Sequence, residues 1–396
     1  MPAVSMRDPN LEQALDALLQ WCRARNFAGH DPFDALNSRI FRATPLTRSE
    51  TARLVWTQII KRSPINLRRL AGVPAQKNAK GIALFALAAL ANYRRLEITK
   101  AESEARDLLD ELIGLKISGY SGAAWGYSFD WQSRHFFAPR GTPMIVPTAF
   151  AACALLQAAD TFRDQRYLEI ARSSCEFILH DLKRTVETED EVCFSYSPID
   201  HTCVFNASLL AAETLASVGA VTGENDFCEL AMRAGRYVVK RQRGDGAWAY
   251  GAAANQAWVD NFHTGYVLQS LSRIMNSCPG AESHEFGDAL ERGYKFWRER
   301  FFLADGWPKY YDDALYPADT HSAAAAIVTL LELRPLDSGA LSLAEKIAAW
   351  LLNNMRDSSG FFYYQRERFY TVRAPFMRWS QAWTTYALAR LLEERG

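Results

Sequence analysis

Three short segments place a histidine within three residues of an aspartate: Asp200-His201, Asp260-Asn261-Phe262-His263 and Asp319-Thr320-His321. An imidazole suits proton transfer at neutral pH, as a base or a hydrogen-bond donor. Pairs of carboxyls from Asp130, Asp200, Asp260 and Asp319, with Asp31 or Asp34 as a further one, would instead suit glycoside cleavage. Each aspartate also stands just before an apolar segment with helical spacing, where a carboxylate caps exposed backbone N–H groups. The positive helix end there favours an anion and disfavours a charged imidazole. The histidines therefore read as neutral bases or hydrogen-bond donors.

Other polar and aromatic residues fall at comparable positions. Arg134 precedes one apolar segment, and Arg378-Trp379-Ser380-Gln381 opens another. On the proton-transfer reading, His263 or His321 is the base; Asp260 and Asp319 are the further catalytic candidates beside them. Tyr310 or Tyr364 is the acid on the opposite face, and Arg134 or Arg378 holds a substrate carboxylate. An N-terminal arm adds Asp31 and Asp34 in one turn and Arg68 after a helix, a rim suited to an anionic substrate. Trp125, Asp130, Asp200, His201, Asn261, Trp307, Trp379 and Gln381 complete the expected substrate surface. Aromatic faces mixed with Asp, Arg, Asn and Gln suit sugar rings, and also a carbocation. The seven cysteines are scattered, with no C-x-x-C and no close histidine pair. No metal or other cofactor is expected.

These residues need elements that bring them together, and an internal repeat supplies them. Turns rich in glycine and aromatics recur, among them Gly122–Tyr127, Gly246–Tyr250, Gly306–Tyr311 and Gly360–Tyr364. Each precedes a loop and then an Ala- and Leu-rich segment, beginning near Gly81, Val146, Cys203, Phe262, His321 and Trp379; the last four starts are 58 or 59 residues apart. Between them lie amphipathic segments near 100–113, 163–180, 224–241, 284–301 and 341–355. Alternating buried and amphipathic helices predict an inner and an outer ring. The expected fold is all-α, an (α/α)6 barrel, with short β-hairpins at one end. An N-terminal helix, 11–26 or 47–61, would close it. An open solenoid shares this period; pairing at both ends of the chain favours closure. Residues 1–396 form one domain on this reading, with 1–75 as arm and closing helices.

Composition narrows the function classes. The 45 basic and 45 acidic residues give no electrostatic case for nucleic acid or an anionic membrane. No run of eighteen apolar residues predicts a transmembrane helix. Met1 to Asn10 lacks the apolar core of a signal peptide. Single cysteines fit a reducing compartment, so a cytoplasmic location is expected.

Gln242-Arg-Gly-Asp245-Gly246-Ala-Trp248 resembles the Q-x-x-D-G-x-W turn of triterpene cyclases and prenyltransferase-like toroids. The resemblance implies a helix-to-turn packing device; the cyclases' D-x-D-D motif is absent. Longer segments, including Asp31–Ser38, Lys61–Arg68, Gly126–Arg134, Asp260–Gly265 and Met377–Trp383, resemble bacterial polysaccharide-biosynthesis proteins of the VpsJ type. That resemblance spans nearly the whole chain and implies sugar-polymer or glycoconjugate biosynthesis. The C-terminal Tyr363–Arg366, Arg373–Pro375 and Arg378-Trp379 are similar to the end of the glucuronyl C5-epimerase domain, although Gln381 occupies the position of that family's catalytic tyrosine.

Four functions compete. The first is a carbohydrate-active enzyme of uronate epimerase or lyase type, and the second a glycoside hydrolase with paired aspartates. The third is a non-catalytic glycan-binding toroid in a biosynthetic complex, and the fourth a terpene or prenyl cyclase-like enzyme, which would need an apolar cavity. The expected partner is a glycan or sugar-containing substrate, with peripheral association to a biosynthetic complex compatible and no nucleic acid.

Overall fold

The computed structural model describes residues 9–278 and 284–395. The signal-peptide reading of the first ten residues falls largely outside that range. Six helices form an inner ring: α4 (Ala79–Leu96), α6 (Ile145–Phe162), α8 (Phe205–Thr222), α10 (Asn261–Ser277), α12 (Thr320–Glu332) and α14 (Trp383–Arg395). Each packs on the next, and α14 packs back on α4, so the ring closes. Five amphipathic helices surround it: α5 (Thr99–Gly114), α7 (Gln165–His180), α9 (Asn225–Val239), α11 (His284–Arg300) and α13 (Ala340–Asn354). The sixth outer place belongs to α1 (Pro9–Arg23), which packs against α14. The other closing candidate became α3 (Glu50–Arg62), which lies over the ring's mouth with the short α2 (Arg39–Arg42). The molecule is an (α/α)6 barrel.

Small residues let the inner helices approach closely. Gly265 of α10 faces Thr329 of α12 so tightly that a Cβ there would stand 2.9 Å from Thr329 Oγ1. α6 is long and apolar enough to cross a membrane by composition alone; here it occupies one place in the inner ring.

The glycine turns hold the outer ring together. A Cβ on Gly122 would strike the backbone of α7, one on Gly246 that of α11, one on Gly306 that of α13, and one on Gly360 that of α1 at Ala17. Each turn thus docks on the following outer helix, and the last returns to the first. The Gln242–Trp248 segment shows the device in detail. Gln242 Nε2 donates to the carbonyls of Gly246 and Ala289, and Trp248 Nε1 donates to Val238 O.

Strands are short and sit at the mouth, at 131–132 with 137–138, 184–187 with 192–194, and 318–319 with 365–366 and 371–372. The loop into the third inner helix is longer than expected: α8 begins at Phe205, so Asp200 and His201 precede it by several residues.

Gly360 has φ +99° and abuts the carbonyl of Ala17, whereas Gly287 in α11 meets only Met275 Cε at 3.9 Å. Gly360→Ala should therefore lower unfolding free energy by more than about 1 kcal/mol, and Gly287→Ala should leave it unchanged or raise it by up to about 1 kcal/mol, measured by urea denaturation. Equal effects of the two would contradict the closure described.

Candidate functional site at the ring mouth

The first turns of α10 and α12 bring two histidines into one aromatic pocket. Asp260 caps α10, its Oδ1 accepting from His263 N at 3.0 Å. Its Oδ2 accepts from Trp258 Nε1 at 3.1 Å and from His263 Nδ1 at 2.7 Å. With the proton on Nδ1, the His263 Nε2 lone pair is free. His263 is 23% exposed at its side chain, and its ring rests on Tyr250 at 4.6 Å. Tyr250 in turn stacks on Trp258 at 4.5 Å.

His321 is fully enclosed between Phe262, Trp379 and Trp383, with ring centroids 4.5, 4.2 and 5.0 Å away. Its Nε2 lies 2.7 Å from Tyr266 Oη, and Lys80 Nζ donates to the same Oη at 3.3 Å. The phenol therefore donates onward to His321 Nε2, which leaves the proton on Nδ1. That buried nitrogen has no partner among the described residues. Burial holds His321 well below the ordinary imidazole range, and Lys80 and Arg378 add to the effect. The two imidazoles flank Tyr266 at 6.3 and 6.2 Å, with Phe262 between them.

Lys80 and Tyr266 did not stand out in the sequence reading. The ammonium position of Lys80 lies over Phe150, Tyr266 and Trp383, at 4.2 to 5.3 Å from the ring centroids, and makes no ion pair among the described residues. Burial lowers its pKa well below the usual lysine value. The available signals were spacing and contrast. Tyr266 follows His263 by three residues, on the same helical face, and Lys80 is a lone charge opening an apolar helix.

Asp319 caps α12 through Ser322 N at 3.1 Å. Trp379 Nε1 donates to both its oxygens at 3.1 Å, and Gln365 Nε2 donates to Oδ2 at 3.3 Å. Burial raises its carboxyl to about 7 despite these donors. Lys61 reaches in from α3 over the Phe33 ring at 4.3 Å; loss of water lowers it to about 8, against the opposing pull of Asp319. Tyr310 packs on Phe262 and Tyr364 on Trp379. Burial pushes both phenols well above their ordinary value, so they stay protonated.

The arm seals this pocket. Arg378 donates to Asp31 from Nε at 2.5 Å and from Nη2 at 2.8 Å, fully buried, so it is not free to hold a substrate carboxylate. Arg68 is likewise spent on Asp34 at 2.7 Å. Two clefts beside His30 and His263 have room for about one water each, roughly 10 Å³. At the exposed edge, Arg134 stands over Trp258 at 5.2 Å; burial raises the Tyr311 phenol above its ordinary value, against the opposing pull of Arg134 and Arg62.

Several expected substrate residues serve the framework instead. Trp125 is fully buried and donates to Leu112 O. Trp307 packs on Trp350 against the outer ring. The Asn261 side chain donates to Lys309 O and accepts from Trp297. Gln381 clamps the Phe362 backbone through both amide atoms. Asp130 ties Arg42 to the Arg140 backbone. Asp200 is no helix cap; it closes a turn through Ser197 and Thr202. His201 is exposed beside Lys183, outside any first turn.

No family model and no curated protein matches the chain. Solved structures do resemble it. A cellobiose 2-epimerase from Bacillus thermoamylovorans aligns at TM-score 0.63 and 13% identity, covering 82% of this chain and 90% of that one. An unsaturated glucuronyl hydrolase specific for heparin aligns at 0.63 and 13%, covering 98% of each. A GH76 α-mannanase of Bacteroides thetaiotaomicron aligns at 0.61 and 12%, covering 80% and 86%. The likeness establishes the shared toroid.

The raised Asp319 gives a pH test. The folded carboxyl releases its proton near pH 7 and the unfolded one near its ordinary 3.8. Between those values the unfolded chain binds fewer protons, so this residue makes stability fall as pH rises from about 4 to 7. Subtracting the Asp319→Asn urea-unfolding profile from the native one should expose that fall. A flat difference, or one rising with pH, would contradict the site's dryness.

Proposed function

We propose that the protein catalyses acid/base proton transfer on a sugar, of uronate epimerase or lyase type. The observation that carries this reading is the pair of imidazoles on either side of Tyr266, His263 held at Nδ1 by Asp260 and His321 held at Nε2 by the phenol. His263 Nε2 takes a proton from the sugar carbon, with Asp260 stabilising the imidazolium that forms. On the other face, Tyr266 gives its phenolic proton to the sugar carbon, the Lys80 amine holding the phenolate by its hydrogen bond, and the proton taken by His263 returns to the phenolate through solvent once product leaves. Tyr310 and Tyr364, proposed from sequence as the acid, remain protonated neighbours of the pocket. Arg134, with Arg62 beside Tyr311, is the cation left for a uronate carboxylate once Arg378 is committed to Asp31. The Tyr250–Trp258 stack offers an apolar face to the ring.

Two points support a sugar as substrate. The similar solved structures named as a cellobiose 2-epimerase, a D-mannose isomerase and an unsaturated glucuronyl hydrolase all act on sugars by name. The resemblance to VpsJ-type proteins points toward polysaccharide biosynthesis. Hydrolysis is the second reading, favoured by one observation: Asp319, raised to about 7, is a carboxyl suited to act as an acid. Against it, Asp260 is already committed to His263 and Trp258.

In D2O, uronate-containing glycans incubated with the protein should gain deuterium at C5. His263→Ala should slow that exchange by about 10²- to 10⁴-fold and Tyr266→Phe should also slow it, whereas Asp110→Asn, exposed on outer helix α5, should change it little. Release of reducing ends without exchange would favour hydrolysis; neither outcome in any uronate-containing glycan would refute the proposal.

A further inference from the structure

The inner helices end at the opposite face of the toroid, around a cavity of about 670 Å³. That volume is typical of a small-molecule site. One wall is aliphatic, with Ala152, Leu156 and Val221; the other carries Glu213, Arg273 and Glu332. A narrow cleft continues inward past Glu213 and Arg273 to Phe150 and Trp383. Those two rings also cage Lys80, so an aromatic layer separates this cavity from the mouth with its two histidines.

Arg273 donates to Glu332 at 2.6 and 2.7 Å and to Glu213 Oε1 at 2.9 Å. Glu213 is only 5% exposed, and besides Arg273 its carboxyl has the Ser270 hydroxyl as a neighbouring donor, which opposes the rise in its pKa that burial causes. A carboxylate has about four lone-pair sites, so with Arg273 and Ser270 as its internal donors Glu213 can still accept from a hydroxyl carried to the cavity floor. The carbonyl ends of the inner helices also favour donors here. Arg273 opposes a ligand cation, and the two glutamates oppose an anion. The aliphatic wall suits C–H faces.

We propose that this cavity is a second binding site, for an uncharged, polyhydroxylated ring compound of one or two sugar units, with a hydroxyl donating to Glu213. It is independent of the chemistry assigned to His263 and His321, and its ligand reaches the toroid from the other face.

Saturation-transfer NMR and calorimetry on the full chain, with D-mannose and cellobiose as probes and putrescine as a cationic control, test this. Val221 is 62% exposed at the rim, so Val221→Trp narrows the cavity without disturbing the core. Glu213→Gln keeps the side-chain volume and removes the carboxylate. At least one sugar should bind, weakened about tenfold or more in both variants and unchanged in His263→Ala; tenfold corresponds to about 1.4 kcal/mol. Thermal melts verify that each variant is folded. Binding of neither sugar, binding retained in both cavity variants, loss in His263→Ala, or preference for putrescine would each overturn the proposal.

Discussion

Two arginines buried without water dictate how the mouth is built. Arg378 and Arg68 cannot shed their charge, so each must keep a carboxylate partner at hydrogen-bonding distance. Both partners, Asp31 and Asp34, come from one turn of the N-terminal arm. The arm is therefore bound to the ring's last segment, where Arg378 lies in a π-helical turn, Met377–Ala382. Met377 N also donates to His30 O, and Gly29 lies so near Met377 that a Cβ would come within 2.7 Å of its side chain. Removing either carboxylate would leave a buried guanidinium unpaired, so the arm acts as a structural part of the site.

The seal sets the electrostatics beneath it. With water excluded, groups that carry positive charge lose protons readily and groups that carry negative charge hold them. Lys80 and His321 move down and Asp319 moves up, while the phenols of Tyr266, Tyr310 and Tyr364 stay protonated. A pocket of neutral donors and acceptors suits proton exchange with carbon, because none of these groups must first give up a full charge. The narrow clefts mean that a sugar needs the arm or the loops around Arg134 to shift before it can meet both histidines.

Periodicity made the fold legible. The apolar repeat located all six inner helices to within a few residues, because burial on all sides leaves a strong compositional trace. Which N-terminal helix closed the ring was not readable, since α1 and α3 are both amphipathic; the docking of Gly360 on α1 decides it. The site was only partly legible. Asp260, His263, Asp319 and His321 gather at the mouth because capping fixes them at helix starts. Asp200 and His201 share the local pattern but sit in a longer loop, which sequence spacing alone does not measure. Arg378 and Arg68 looked like ligands for an anion, and their anions proved to be internal. Lys80 and Tyr266 were hidden inside apolar helices, where a single polar residue resembles a satisfied core position until its neighbours are seen.

The central claim is that both imidazoles carry a proton on Nδ1, set by Asp260 at His263 and by Tyr266 at His321, and that burial keeps His321 neutral near pH 7. Histidine-selective ¹⁵N NMR measures this directly in the full chain, because imidazolium and the two neutral tautomers give distinct nitrogen shifts. The account predicts a neutral His321 and a proton on Nδ1 of both rings in the native protein, with His263 alone losing its Nδ1 partner's effect in Asp260→Asn. An imidazolium at His321, or protons on Nε2 of both rings, would contradict it.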